Sequence, residues 1–165
     1  MNSRNIPSVK RWLALIGALS FSATFAIISV RARVTLDPWT PAQTVEAKQF
    51  AAELQQEKDP YPRVIYVGVK ALYEGAHIPG AVYYGPGSTA QGLSELKKCA
   101  ASLPRNSDVV LYCGCCPLEK CPNLRPAFNA LKEGGFARLR VLLLPTSFNS
   151  DWVEKGLPVR KGQKP

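Results

Sequence analysis

The sequence predicts an α/β domain: a small, doubly wound, mainly parallel sheet with helices on both faces, preceded by an apolar signal or anchor helix. Three observations predict it. The strand candidates Val64–Val67, Ala81–Tyr84, Val109–Tyr112 and Leu139–Leu144 read as apolar runs rather than alternating ones, which is the pattern of strands covered on both faces. Segments with helical apolar spacing lie between them, so strands and helices alternate along the chain. Ahead of all this, Trp12 to Val30 is an uncharged 19-residue run behind Arg4, Lys10 and Arg11 and before Arg31 and Arg33. A chain of 165 residues with 46% apolar and 20% charged residues suits one folded domain with an apolar attachment.

The expected organisation is a signal peptide or membrane anchor over 1–33, a linker over 34–39, the domain over 40–159 and a frayed tail over 160–165. The apolar run is long for a signal peptide and just long enough to span a bilayer. A cleavage site after Ala26 is weak, because the small residue two places earlier is Thr24, and no cysteine offers a lipid-attachment site. The flanking charges favour the start inside and the domain outside. The expected location is therefore the bacterial periplasmic face, with residues 12–30 holding the chain to the inner membrane.

Each element of the domain has its own signal. Thr40-Pro41-Ala42-Gln43 reads as a capping box opening a helix, with Ala47, Phe50, Ala51 and Leu54 as its apolar face. Lys58 to Pro62 breaks that helix. Val64–Val67 is β-branched and apolar, a buried strand. A short helix covers Lys70 to Glu74, and His77-Ile-Pro-Gly-Ala turns the chain into the strand at Ala81–Tyr84. Gly85 to Ser88 is a loop. Leu93, Leu96, Ala100 and Leu103 mark a helix from about Thr89, and Pro104 to Ser107 a turn. After the strand at Val109–Tyr112, a helix follows through Leu124, Ala127, Phe128 and Leu131, closed by Gly134-Gly135. Leu139–Leu144 is the last strand and Ser147–Lys155 the last helix. Trp152 is a core residue, Trp39 packs at the linker or the membrane surface, and Cys99 is a buried small apolar residue.

Charge narrows the partners. The formal net charge is +9, but five basic residues flank the apolar run, leaving 16 Lys and Arg against 12 Asp and Glu from Val34 onward. There is no arginine-rich stripe and no basic-aromatic interleaving, so no nucleic-acid partner is expected.

Four of the five cysteines crowd into one loop, Cys113-Gly114-Cys115-Cys116-Pro-Leu-Glu-Lys-Cys121. In an open α/β sheet the site lies at the carboxyl ends of the strands, where loops enter helix N-termini. Cys113 stands at that place. Helix N-terminal N–H groups favour a thiolate, Lys120 and Arg125 add positive charge, and Asn123 is placed to cap the helix that begins at Leu124.

The pieces VIYVGVKALYEGAHIPGAVYY, VVLYC with its loop and a helix ending in GGF, and WVEKGLPV resemble a rhodanese-type sulfurtransferase domain, over about Thr40 to Val159. The resemblance implies a doubly wound fold whose active cysteine, Cys113 by position, closes the central strand and opens a loop that cradles its sulfur. Three departures stand out. Gly68 and Val69 occupy the places where the family usually carries an acid and a base. The loop after Cys113 is several residues longer. Pro145-Thr146-Ser147 replaces a glycine pair before the last helix. Arg125, twelve positions after Cys113 and four after Cys121, does not fit the spacing of the related phosphatases.

Four chemistries remain open for the loop. Cys113 carries a sulfane sulfur as a persulfide, with Cys115, Cys116 and Cys121 as resolving or accepting thiols and Gly114, Asn123 and Arg125 as loop or anion-binding residues. Alternatively the cysteines form redox pairs, Cys113 with Cys115 or Cys116 with Cys121. A third option is a metal site of Cys113, Cys115, Cys116 and Cys121. The fourth is a disulfide-stapled or metal-binding surface on an inactive binding module. No resident cofactor is expected. The expected partner is a small sulfur-containing substrate or a protein thiol. His77, the only histidine, is read as a turn-stabilising residue.

Overall fold

The computed structural model describes residues 37–56 and 59–162. The proposed anchor at 12–30 lies outside them. Among the described residues no helix is long and apolar enough to cross a membrane. Five strands form one sheet: β1 (Thr44–Glu46), β2 (Arg63–Tyr66), β3 (Val82–Tyr83), β4 (Asp108–Tyr112) and β5 (Arg138–Leu143). Their order is β1-β5-β4-β2-β3 and every pair is parallel. Helices α1 (Ala47–Gln55), α2 (Lys70–Gly75), α3 (Ala90–Ala101) and α4 (Leu124–Glu133) make the crossovers. The predicted doubly wound α/β class is the class observed.

The central strand β4 shows how the sheet divides its side chains. Successive residues point to opposite faces. Val109, Leu111 and Cys113 enter the layer with Leu96, Ala100, Leu124, Phe128 and Leu131 of α3 and α4. Val110 and Tyr112 enter the other layer with Phe50, Ala51, Tyr73, Phe148 and Trp152. Both faces are filled, which is why these strands are apolar without alternation.

Four expectations are corrected. The sequence predicts one helix from Thr40, but the Thr40–Gln43 box closes only a single 3-10 turn, Pro41–Gln43, with the Thr40 N–H donating to Gln43 Oε1 at 3.1 Å. The next three residues then form β1 along β5, and the helix starts at Ala47. Three residues are too few to show a period, so this edge strand left no pattern to read. Trp39, expected at the linker or membrane, is buried edge-on to Phe128 with ring centroids 5.5 Å apart. The tail is tied down at its start: Arg160 and His77 exchange backbone hydrogen bonds of 2.8 Å. The last helix is a single wide turn, Asn149–Val153, in which the Glu154 N–H reaches the carbonyl of Asn149 at 2.8 Å.

At the amino ends of the strands, Arg140 joins β5, β4 and α1. Its guanidinium pairs with Asp108 at 2.8 Å and with Glu53 at 2.8 Å. A concavity of about 650 Å³ opens beside it. That is the end of the sheet opposite the cysteine loop.

Gly92 sits inside α3, where alanine normally favours a helix by about 1 kcal/mol. Here a Cβ would stand 2.1 Å from the carbonyl oxygen of Pro86, so α3 lies directly on the backbone of the 85–88 loop. The clash outweighs the propensity gain. Gly92→Ala is expected to destabilise the domain by about 1–3 kcal/mol, read as a lower denaturation midpoint at unchanged m-value.

Candidate functional site

The loop from Cys113 to Asn123 runs from the carboxyl end of β4 to the amino end of α4, with a 3-10 turn, Leu118–Lys120, in its middle. Gly114 makes the first bend with φ of +69°, and a Cβ there would meet Phe148 at 2.5 Å. Its carbonyl accepts the Phe148 N–H at 2.9 Å, which fastens the loop to the chain after β5. Both constraints require glycine.

Three sulfurs converge. The Sγ atoms of Cys113, Cys115 and Cys121 all lie within 4.8 Å of one another. Cys113 Sγ is 3.1 Å from Cys115 Sγ, and Cys116 Sγ is 3.5 Å from Cys115 Sγ but outside the group of three. All five cysteines of the chain are free thiols. Cys113 and Cys121 are buried, whereas Cys115 and Cys116 are partly exposed. Cys99 is partly exposed on α3, not buried as the sequence suggested, and stands apart from the group.

Asn123 does not cap α4 with its side chain. The amide instead donates to Cys113 Sγ at 3.4 Å and to Cys115 Sγ at 3.6 Å, while its oxygen accepts the Ser88 N–H at 3.0 Å. The residue is a buried clamp on two sulfurs. Arg125 is also redirected. Its guanidinium pairs with Asp37 at 2.6 Å and donates to the Cys121 carbonyl at 3.2 Å. An arginine neutralised in this way is not a free anion clamp. His77 fits its turn role: Nδ1–H donates to the Tyr73 carbonyl at 2.8 Å and the ring stacks on Tyr73 at 4.0 Å.

The electrostatics separate the buried pair. Hydrogen bonding from the Cys113 thiol, aided by the backbone N–H groups of Asn123 and Leu124, lowers the Cys121 pKa to about 6. The same contact with Cys121, with burial second, pushes Cys113 far up, despite the backbone N–H of Cys115. Burial and the neighbouring Cys115 push Cys116 up to about 12. The contact between the two thiols thus raises the pKa of Cys113 and lowers that of Cys121, which lies at the helix N-terminus, where N–H dipoles favour an anion. The sequence places the nucleophile at Cys113; the directions of the two shifts favour the thiolate at Cys121, first through its contact with Cys113 and then through the N–H groups of Asn123 and Leu124.

Two further residues build the site: Tyr66, which left no signal as a site residue in the sequence, and Gly68, which stood out there only as a departure from the resembled family. Tyr66 ends β2 and lines a groove of about 500 Å³ with Ala71, Leu72, Gly114, Cys115 and Phe148. Gly68 follows the carboxyl end of β2. A Cβ there would stand 2.5 Å from the Tyr66 hydroxyl and 2.8 Å from Cys113 Sγ. The glycine is therefore a steric requirement of the thiol cluster.

Solved structures similar to this chain are rhodanese-like. The rhodanese-like domain of the Alr3790 protein from Anabaena sp. matches with a TM-score of 0.53 at 20% identity, over 73% of this chain and 80% of that one. The BH2092 protein from Bacillus halodurans matches with a TM-score of 0.57 at 17% identity, over 73% and 77%. A full-length protein from Lactobacillus plantarum gives 0.53 at 16% identity, over 73% and 88%. The likeness is one of fold: this chain has the rhodanese-like fold, with a cysteine cluster at the end of its central strand. No family model and no curated protein matches the chain.

Thiolate absorbance checks the charge assignment. One thiolate is expected to appear as pH rises through about 6, with Cys121 as its source. Cys121→Ser removes that step. Cys113→Ala removes the largest cause of the lowered value, so the midpoint moves up toward the ordinary thiol value of about 8.5. An unchanged midpoint in Cys113→Ala would show that the helix terminus alone sets it.

Proposed function

We propose that the domain is a sulfurtransferase-type thiol enzyme in which Cys113 carries a sulfane sulfur as a persulfide. The observation that carries this reading is the convergence of the Cys113, Cys115 and Cys121 sulfurs within 4.8 Å at the carboxyl end of the central strand. A sulfur atom moves between such thiols without any large motion of the chain.

The burial pattern supports a two-thiol route. Cys115 faces the groove and Cys113 lies beneath it. The Cys115 thiolate attacks the outer sulfur of a donor such as thiosulfate. A Cys115 S–S bond forms, the donor's S–S bond breaks, and sulfite leaves with the electron pair. Cys113 then attacks the outer sulfur of the Cys115 persulfide. Its proton passes to the Cys121 thiolate, a Cys113 S–S bond forms, and Cys115 departs as a thiolate. Cys121 is the base for this step because its negative charge already lies against the Cys113 thiol.

Release follows from the same crowding. A neighbouring thiolate attacks the inner sulfur of Cys113, hydrosulfide leaves, and a disulfide remains, which a dithiol of a partner protein reduces. The free dithiol form requires such a reductant in an oxidising compartment. The uncharged run at 12–30 supports an extracytoplasmic site held at the inner membrane, as a further part of this proposal.

A second reading is favoured by the same three sulfurs. Cys113, Cys115 and Cys121 form a donor set for a soft metal ion such as Cu(I) or zinc, and the Asn123 amide would brace two of the ligands.

Native mass spectrometry before and after thiosulfate tests both. The expected result is a gain of one sulfur that maps to Cys113, is absent in Cys113→Ser and is slow to appear in Cys115→Ser. A persistent adduct in Cys113→Ser would overturn the carrier assignment. A metal retained through purification and lost to a chelator, with no sulfur gained, would favour the second reading.

A further inference from the structure

Four tyrosines pack together around the ends of β2, β3 and β4. Tyr66 lies at the centre, with ring centroids 5.7 Å from Tyr73, 6.2 Å from Tyr83 and 5.0 Å from Tyr112. Three of the four hydroxyls are bonded to backbone. Tyr73 donates to the Ala81 carbonyl at 2.7 Å, Tyr83 donates to the Gly85 carbonyl at 2.6 Å, and Tyr112 accepts the Ile78 N–H at 3.1 Å. The Tyr66 hydroxyl is buried and has no hydrogen-bond partner among the described residues, although the side chain is only 2% exposed.

A buried hydroxyl without a partner opposes folding, and phenylalanine would fill the same space without that cost. The structure retains the hydroxyl and also clears room for it. Gly68 has no side chain, and any Cβ at that place would press on both the Tyr66 hydroxyl, at 2.5 Å, and Cys113 Sγ, at 2.8 Å. One bare backbone position thus brings the orphan hydroxyl and the thiol together. Asn123 approaches the same sulfur with a second donor. Burial holds the Tyr66 phenol far above its ordinary pKa, so it remains a proton donor.

We propose that the Tyr66 hydroxyl is the hydrogen-bond donor that receives the outer sulfur of a persulfide on Cys113. This deepens the transfer reading above and rests on it. A persulfide extends Cys113 by one S–S bond of about 2.0 Å and carries its negative charge on the outer atom. That atom is the acceptor the hydroxyl lacks in the sulfur-free thiol. No bond is made or broken at Tyr66: it stabilises the loaded state, and the orphan hydroxyl is the cost carried by the empty one.

The test compares the intact chain with Tyr66→Phe, each loaded with thiosulfate or, independently, with inorganic polysulfide. The lifetime of the Cys113 adduct is followed by mass spectrometry, and thermal stability is measured in parallel. Tyr66→Phe is expected to lose the adduct about tenfold to a hundredfold faster, the worth of one hydrogen bond to a charged acceptor, with a melting temperature unchanged or raised. Gly68→Ala, which drives a methyl group between the hydroxyl and the sulfur, is expected to shorten the lifetime in the same direction by a different route. Equal adduct lifetimes in wild type and Tyr66→Phe would overturn the role of Tyr66 and leave the transfer reading intact. No adduct in any of the three proteins, from either donor, would overturn the transfer reading itself. A marked fall in melting temperature for Tyr66→Phe would assign the hydroxyl to the fold and overturn the proposal.

Discussion

The Asn123 side chain ties the loop together. Its amide nitrogen serves two sulfurs, 3.4 Å and 3.6 Å away, and its oxygen takes the Ser88 N–H at 3.0 Å. A buried amide in a dry site has to satisfy both ends, and here each end fixes a different segment. One end sets where Cys113 and Cys115 stand. The other holds the 85–88 loop against the start of α4, so closely that a Cβ on Gly87 would lie 2.4 Å from the Asn123 carbonyl. The long cysteine loop keeps a defined shape because this one residue spans its two ends.

The charge balance of the site follows from what surrounds it. Arg125, the cation nearest in sequence to the helix start, is held by Asp37 and by a backbone carbonyl, over the Trp39 ring at 5.8 Å. Negative charge on Cys121 is favoured by the neighbouring Cys113 thiol and by the N–H groups of Asn123 and Leu124, while Arg125 is committed elsewhere. Backbone N–H groups stabilise a polarisable sulfur anion but do not offer the bidentate fork that phosphate recognition uses.

Depth in the protein gives the four loop cysteines different work. Cys116 is held neutral by burial and by its neighbour, and Cys115 meets the groove. Cys113 and Cys121 share the buried position, the first with its pKa raised and the second with its pKa lowered. The groove wall opposite Cys115 is mostly apolar, with Leu72 half exposed along it. An apolar wall beside a reactive sulfur suits the docking of a partner that brings its own thiol, and it limits water at the place where a persulfide would be hydrolysed or oxidised.

Local patterns along the chain already specify the fold class, the central strand and the cysteine loop. Short apolar runs bounded by turn residues, such as Val109–Tyr112 after Pro104–Ser107, read as strands buried on both faces, and the 3.6-residue spacing of Leu124, Ala127, Phe128 and Leu131 marks the helix that follows. Crowded cysteines at that junction were legible for the same local reason. Edge strand β1 was not, because its three residues owe their conformation to pairing with β5, nearly a hundred residues away. Only the folded contacts reveal which thiol has the lowered pKa, what Asn123 and Arg125 hold, and that Tyr66 faces Cys113 across Gly68. Each of these depends on distances between segments far apart in the chain. Charge, hydrogen bonding and steric fit are set by those distances, whereas local periodicity records only which side of an element is buried.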